Sequence, residues 1–167
     1  MCRAVLVCLI TLLLLAPTRS MAQTAKTIWG SDTGAFTDAF NAAAAKRNLR
    51  LNIGSVMCVA GRSLNCDANT GNLGLKLRGT DNPASVREVA IPYTGSTPVA
   101  MVSGLSHVIM DIAEPNANPD ERRTAVLSLF GLGGVPRNES PQVGQTRLRI
   151  RDGFRGGEVI FQLAAQP

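Results

Sequence analysis

Residues 145–163 read QTRLRIRDGFRGGEVIFQL, and this stretch decides the fold. Leu148 and Ile150 alternate with Arg147, Arg149 and Arg151. A period of two places the apolar pair on one face of a strand and the three arginines on the other. Residues 152–157 hold three glycines and make a turn. Val159, Phe161 and Leu163 then alternate as a last strand. Two such strands joined by a short glycine-bearing turn pair antiparallel. A sheet with one apolar face needs a cover, and the segments upstream supply it.

Three helices are predicted. Asn118-Pro119-Asp120-Glu121 is a start signal, with Asn as cap, Pro in the first turn and acids beside it. Val126, Leu129 and Phe130 form the buried side of that helix, and Gly131, Gly133 and Gly134 end it. Before it, Thr97 is expected to cap a helix with Pro98 at its first position. Its apolar stripe is Val102, Leu105, Ile109 and Ile112, and Pro115 closes it. Near the start, Asp32 or Thr33 caps a helix over 33–47, where Phe36, Phe40 and Ala43 recur at helical spacing.

Alternating residues predict further strands at 49–53, 73–78 and 86–93, with Val89, Ile91 and Tyr93 on one face. Ile28 and Trp29 are candidate anchors in a leader or first strand. Residues 61–72 read as a loop and a polar turn. The order is helix, three strands, two helices, two strands. Short connections imply antiparallel pairing. The expected fold is α+β: an antiparallel sheet of about five strands with two or three helices packed on one face.

The N-terminus reads as an export signal. Arg3 gives a positive start, Ala4 to Ala16 are an apolar run broken only by Thr11, and Ser20-Met21-Ala22 offers small residues for cleavage. The run is about 13 residues, short of the ~20 a membrane span needs. Cys8 follows Val7 inside the run, which is not where a lipoprotein cysteine belongs. The expected division is a signal peptide over 1–22 and a single α+β domain over 23–167. No second run of 18 or more apolar residues follows, so a mature chain without a membrane span is expected.

Cleavage also fixes charge and cysteine content. The whole chain carries +5. Without Arg3 and Arg19 it has 15 cations against 12 acids, a charge of +3. That is too mild to argue for nucleic acid. Twelve of the 15 cations are Arg, which suits planar anions such as carboxylate and phosphate. Cys2 and Cys8 leave with the signal. Cys58 and Cys66 remain, and an even pair in an exported chain predicts a disulfide. Their spacing departs from Cys-x-x-Cys, which argues against a redox pair.

No catalytic, metal or cofactor motif emerges, and none of these groups is expected. His107 is the only histidine. Helical spacing puts it opposite the apolar stripe, with Ser103, Asp111 and Glu114 on its side. A hydrolase built on His107 and Asp111 would need a positioned nucleophile and an oxyanion hole, and no Gly-x-Ser-x-Gly elbow is present. Asp67-Ala68-Asn69-Thr70-Gly71 begins like a calcium loop, but its twelfth position is Arg78 where an acid is required. Asn138-Glu139-Ser140 fits the glycosylation pattern, which matters only in a glycosylating host.

The distinctive feature is the row Arg147, Arg149 and Arg151, which Arg155 in the next turn can join. Such a row suits an anionic ligand or an acidic partner. Glu158 opposite can neutralise part of it. The expected function is that of an exported bacterial module, periplasmic or secreted, binding an envelope protein or anionic ligand without catalysis. The alternative is the small hydrolase at His107 and Asp111. A third expectation, capture of a small apolar ligand between sheet and helices, needs a cavity to support it.

Overall fold

The computed structural model describes residues 26–59, 61–71, 73–81, 84–153 and 156–164. Residues 1–22, expected to be a signal peptide, and Arg155 lie outside the described residues. In chain order the elements are α1 (Thr33–Lys46), β1 (Ser55–Cys58), β2 (Ser63–Asn69), β3 (Gly74–Asp81), β4 (Ala84–Thr94), α2 (Val99–Ala113), α3 (Pro119–Phe130), β5 (Gln142–Val143), β6 (Thr146–Gly153) and β7 (Gly156–Leu163). The strands form one sheet in the order β1-β2-β3-β4-β7-β6-β5, antiparallel throughout. The fold is α+β, with seven strands rather than about five.

The two extra strands come from segments read as loop. Residues 61–72 were expected to form a closed loop, but 63–69 form β2 with a strict alternation in which Leu64, Cys66 and Ala68 are buried. Asn65, Asp67 and Asn69 hide that pattern because they stand on the solvated face. Residues 49–53 are not a strand. Ile53 is fixed by a side chain instead, its amide donating to Asn41 Oδ1 at 2.8 Å and its carbonyl accepting from Asn41 Nδ2 at 3.2 Å. The chain becomes extended two residues later, as β1. Nor are Ile28 and Trp29 on a strand, although both are buried.

The helices follow the caps, with one correction. Asp32 accepts from the Ala35 amide and starts α1. Phe36 and Phe40 stack with ring centroids 6.2 Å apart, and both are buried. Asn118 accepts from the Asp120 amide at the start of α3, and Gly131, at φ 64°, ends it. Thr97 does not cap α2. Pro98 itself stands at the cap position, and Thr97 Oγ1 accepts from the Thr94 amide at 3.0 Å. The hydroxyl is used to turn the chain out of β4.

One core lies between the helices and the inner face of the sheet. It joins Phe36 and Phe40 of α1 with Leu105, Ile109 and Met110 of α2 and Leu129 of α3. From the sheet it takes Leu77, Val89, Ile91, Leu148, Val159 and Phe161. At 25 cal/mol per Å2 each fully buried side chain of this kind contributes about 1.5–3 kcal/mol. Among the described residues no helix covers the outer face of the sheet.

Candidate functional site

Register places the outer-face side chains. Arg147, Arg149 and Arg151 of β6 stand opposite Gln162, Ile160 and Glu158 of β7. Glu158 lies opposite Pro92 and Ile160 opposite Ala90 on β4. Ala90 is opposite Lys76, and Glu88 opposite Arg78, on β3. The arginine row is therefore one edge of a wider patch. Five cations (Lys76, Arg78, Arg147, Arg149 and Arg151) share the face with three acids (Asp67, Glu88 and Glu158).

Ion pairs cover part of this charge. Glu158 reaches Lys76 at 3.3 Å, Arg78 at 3.4 Å and Arg151 at 3.3 Å. Burial works against its carboxylate, but the three cations outweigh this and hold its pKa below the usual glutamate value. Arg78 also pairs with Glu88, a hydrogen bond that raises the guanidinium pKa. Among the described residues the Arg147 side chain meets only the amide oxygen of Gln142, at 3.4 Å.

Arg149 differs from its neighbours. Its cross-strand partner Ile160 and the next residue along, Ala90, are fully buried although they stand on the open face. Lys76 and Arg149 flank this apolar pair, and long cationic side chains lay their stems along such surface. Arg149 Nε is sealed from solvent and has no hydrogen-bond partner, and the side chain has no acid partner among the described residues. A charged donor left in that state is unfavourable. Beside Arg151, Pro92, Tyr93, Asp152 and Glu158 line an open groove of about 380 Å3 floored by Gly153, Gly156 and Gly157.

Sequence reasoning found the β6 row and missed Lys76 and Arg78. Their alternation with Leu75 and Leu77 was visible. What was missing was the strand order, which carries β3 and β7 to either side of β4.

His107 lies half-buried on α2. Asp111 is gripped by Arg47 through Nε and Nη2, and Arg122 Nε lies 3.4 Å away. Among the described residues no hydrogen bond joins His107 to Asp111. Burial lowers the His107 pKa and Arg47 and Arg123 push the same way, while Asp111 opposes them. Ser103 and Ser106 are both buried, and Ser106 Oγ donates to the Val102 carbonyl. The carboxylate that a hydrolase would use to orient the imidazole is thus tied to two arginines.

The remaining candidates have local roles. Asp67 and Asn69 are on β2, and Asn69 accepts from the Gly71 amide to shape the turn. Asn138 accepts from the Ser140 amide on an exposed loop. Cys58 and Cys66 are cross-strand partners and are bonded to each other. Among the described residues no helix is long and apolar enough to cross a membrane.

The fold and this face define a disulfide-bridged α+β domain with one side of its sheet under helices and a cationic patch on the other. Comparison with protein-family models, curated proteins and solved structures finds no match to the chain.

Proposed function

We propose that the protein is an exported bacterial module, periplasmic or secreted, that binds an acidic partner or anionic ligand of the envelope through the outer face of its sheet and performs no catalysis. Arg149 carries this reading. It presents a guanidinium with no acid partner among the described residues, at the centre of a surface where Lys76, Arg78 and Arg151 already hold Glu158. A carboxylate or phosphate arriving at this face gains a charge-assisted hydrogen bond without breaking an existing pair. The bonded cysteines fit an oxidising compartment.

The test is salt-dependent retention on a carboxylated matrix. Arg149→Glu is compared with Arg123→Glu, an equal change of charge on an exposed arginine of α3, on the helical side. Arg149→Glu is expected to elute at clearly lower salt than Arg123→Glu. Equal shifts would mean that only net charge matters, and would remove the reading.

A further inference from the structure

The helix-covered side of the sheet holds an opening that the arginine face does not involve. It lies where β4 and β6 meet the first turn of α2 and the last residue of α3. Its volume is about 150 Å3, and its wall is Tyr93, Thr97, Val99, Val102, Phe130 and Ile150. The polar atoms of that wall are already engaged. Tyr93 Oη donates to Asp152 Oδ1 at 3.2 Å, and Thr97 Oγ1 accepts from the Thr94 amide at 3.0 Å. The space is therefore presented with carbon. A space of about this volume matches a single benzene ring, and this one is partly open to solvent.

One cation stands near this opening. Arg137 is exposed and has no hydrogen bond or ion pair among the described residues. Its Cβ lies 3.8 Å from where a Cβ on Gly131 would sit, next to Phe130. Its charge also reaches Tyr93: it opposes burial and Asp152, which together raise the pKa of the phenol. Asp152 accepts from the Tyr93 hydroxyl and Arg151 pairs with Glu158, so among the described residues Arg137 is the cation there with no acid of its own.

We propose that this opening binds a small carboxylate bearing one aromatic ring, with the ring between Tyr93 and Phe130 and the carboxylate toward Arg137. A ring fills the volume, burial of its apolar surface drives entry, and the charge selects an acid over a neutral molecule. Tyr93 and Ile150 pack against the core, so the opening lies on the other side of the sheet from Arg149, although Tyr93 also lines the groove beside Arg151.

Phenylacetate and benzyl alcohol are suitable probes, followed by two-dimensional amide NMR on the purified protein. Phenylacetate is expected to bind saturably and to shift Val99, Val102 and Phe130. Benzyl alcohol is expected to bind about fivefold more weakly, the loss of one exposed charge contact. Arg137→Gln should weaken phenylacetate by the same factor and leave benzyl alcohol unchanged. Val99 is 53% exposed, so Val99→Phe can block the entrance without entering the core, and it should abolish binding of both probes. The proposal is overturned if neither probe saturates or if benzyl alcohol binds as well as phenylacetate. It is equally overturned if Val99→Phe binds normally, or if the shifts map to Arg147, Arg149 and Arg151.

Discussion

Three side chains carry most of the individually testable chemistry. Glu158 holds Lys76, Arg78 and Arg151 together on the outer face, and its pKa lies below the usual glutamate value. A carboxylate whose pKa is depressed by folding stabilises the protein above the unfolded value and loses that contribution as pH falls through the folded one. Glu158→Gln is therefore expected to lower stability by about 1 kcal/mol at pH 7. The gap from the wild type should close as the pH drops below about 4.5, read as urea midpoints across pH. His107 is a base with a depressed pKa, and its effect on stability has the same sign. The unfolded chain takes up a proton first, so stability should fall as pH drops from about 6.5 toward the folded value. His107→Gln should flatten this slope, and an unchanged slope would assign it to another group.

Thr146 is the third. Trp29 Nε1 donates to Thr146 Oγ1 at 2.8 Å, and Thr146 donates to Glu114 Oε1 at 2.7 Å. The chain ties residue 29 to the end of α2 and the start of β6, and Thr146 is fully buried. Thr146→Val keeps the shape but leaves the indole N–H without its acceptor, which costs about 1–3 kcal/mol. The expected result is a lower urea midpoint with the near-ultraviolet signal of Trp29 altered.

At the scale of elements, the first hairpin depends on its bridge. Cys58 and Cys66 face each other across β1 and β2, and β1 is an edge strand only four residues long. A strand that short holds few ladder bonds, so the disulfide contributes a large share of its stability. Removing it as Cys58→Ser with Cys66→Ser is expected to cost about 2–3 kcal/mol on the chain-entropy model. Calorimetry under oxidising conditions reads this directly. A second constraint lies between β3 and β4, whose register shifts at Arg78 and Gly79. A Cβ on Gly79 would stand only 1.8 Å from the Ser85 carbonyl oxygen, so the backbones approach too closely there for any side chain. The bulge requires glycine at this position.

These elements also show what the sequence could and could not reveal. The strands 73–78, 86–93, 145–151 and 159–163 were legible because apolar residues alternate with charged ones. Residues 63–69 were not, because one face carries Ser63, Asn65, Asp67 and Asn69 and looks like a turn. Residues 49–53 had the opposite fault. They alternate, but Leu49 and Leu51 pack at the margin of the core and Ile53 bonds to Asn41, with no neighbouring strand among the described residues. Periodicity reports which side is buried and leaves the partner undetermined.

At the scale of the whole molecule, the candidate site was half legible. The β6 arginines followed from spacing alone. The contribution of Lys76 and Arg78, the hub at Glu158 and the isolation of Arg149 all follow from β7 docking against β4, a contact between residues some 70 positions apart. No local pattern encodes it. The same topology separates two chemistries, with cations on the open face and an apolar opening beneath the helices. The proposed export makes its own prediction at this scale. Intact mass of the native product should begin at Gln23 and show no free thiol, whereas a product retaining Met1 would contradict export.

We propose that the open side of the sheet is where an anion binds. Titration of the labelled protein with polyglutamate, followed residue by residue through amide shifts, tests it most directly. Saturating shifts centred on Arg147, Arg149, Ile160 and Lys76, lost in Arg149→Glu, are the result expected. Shifts concentrated on α1, α2 and α3, or spread evenly over all exposed cations, would contradict it.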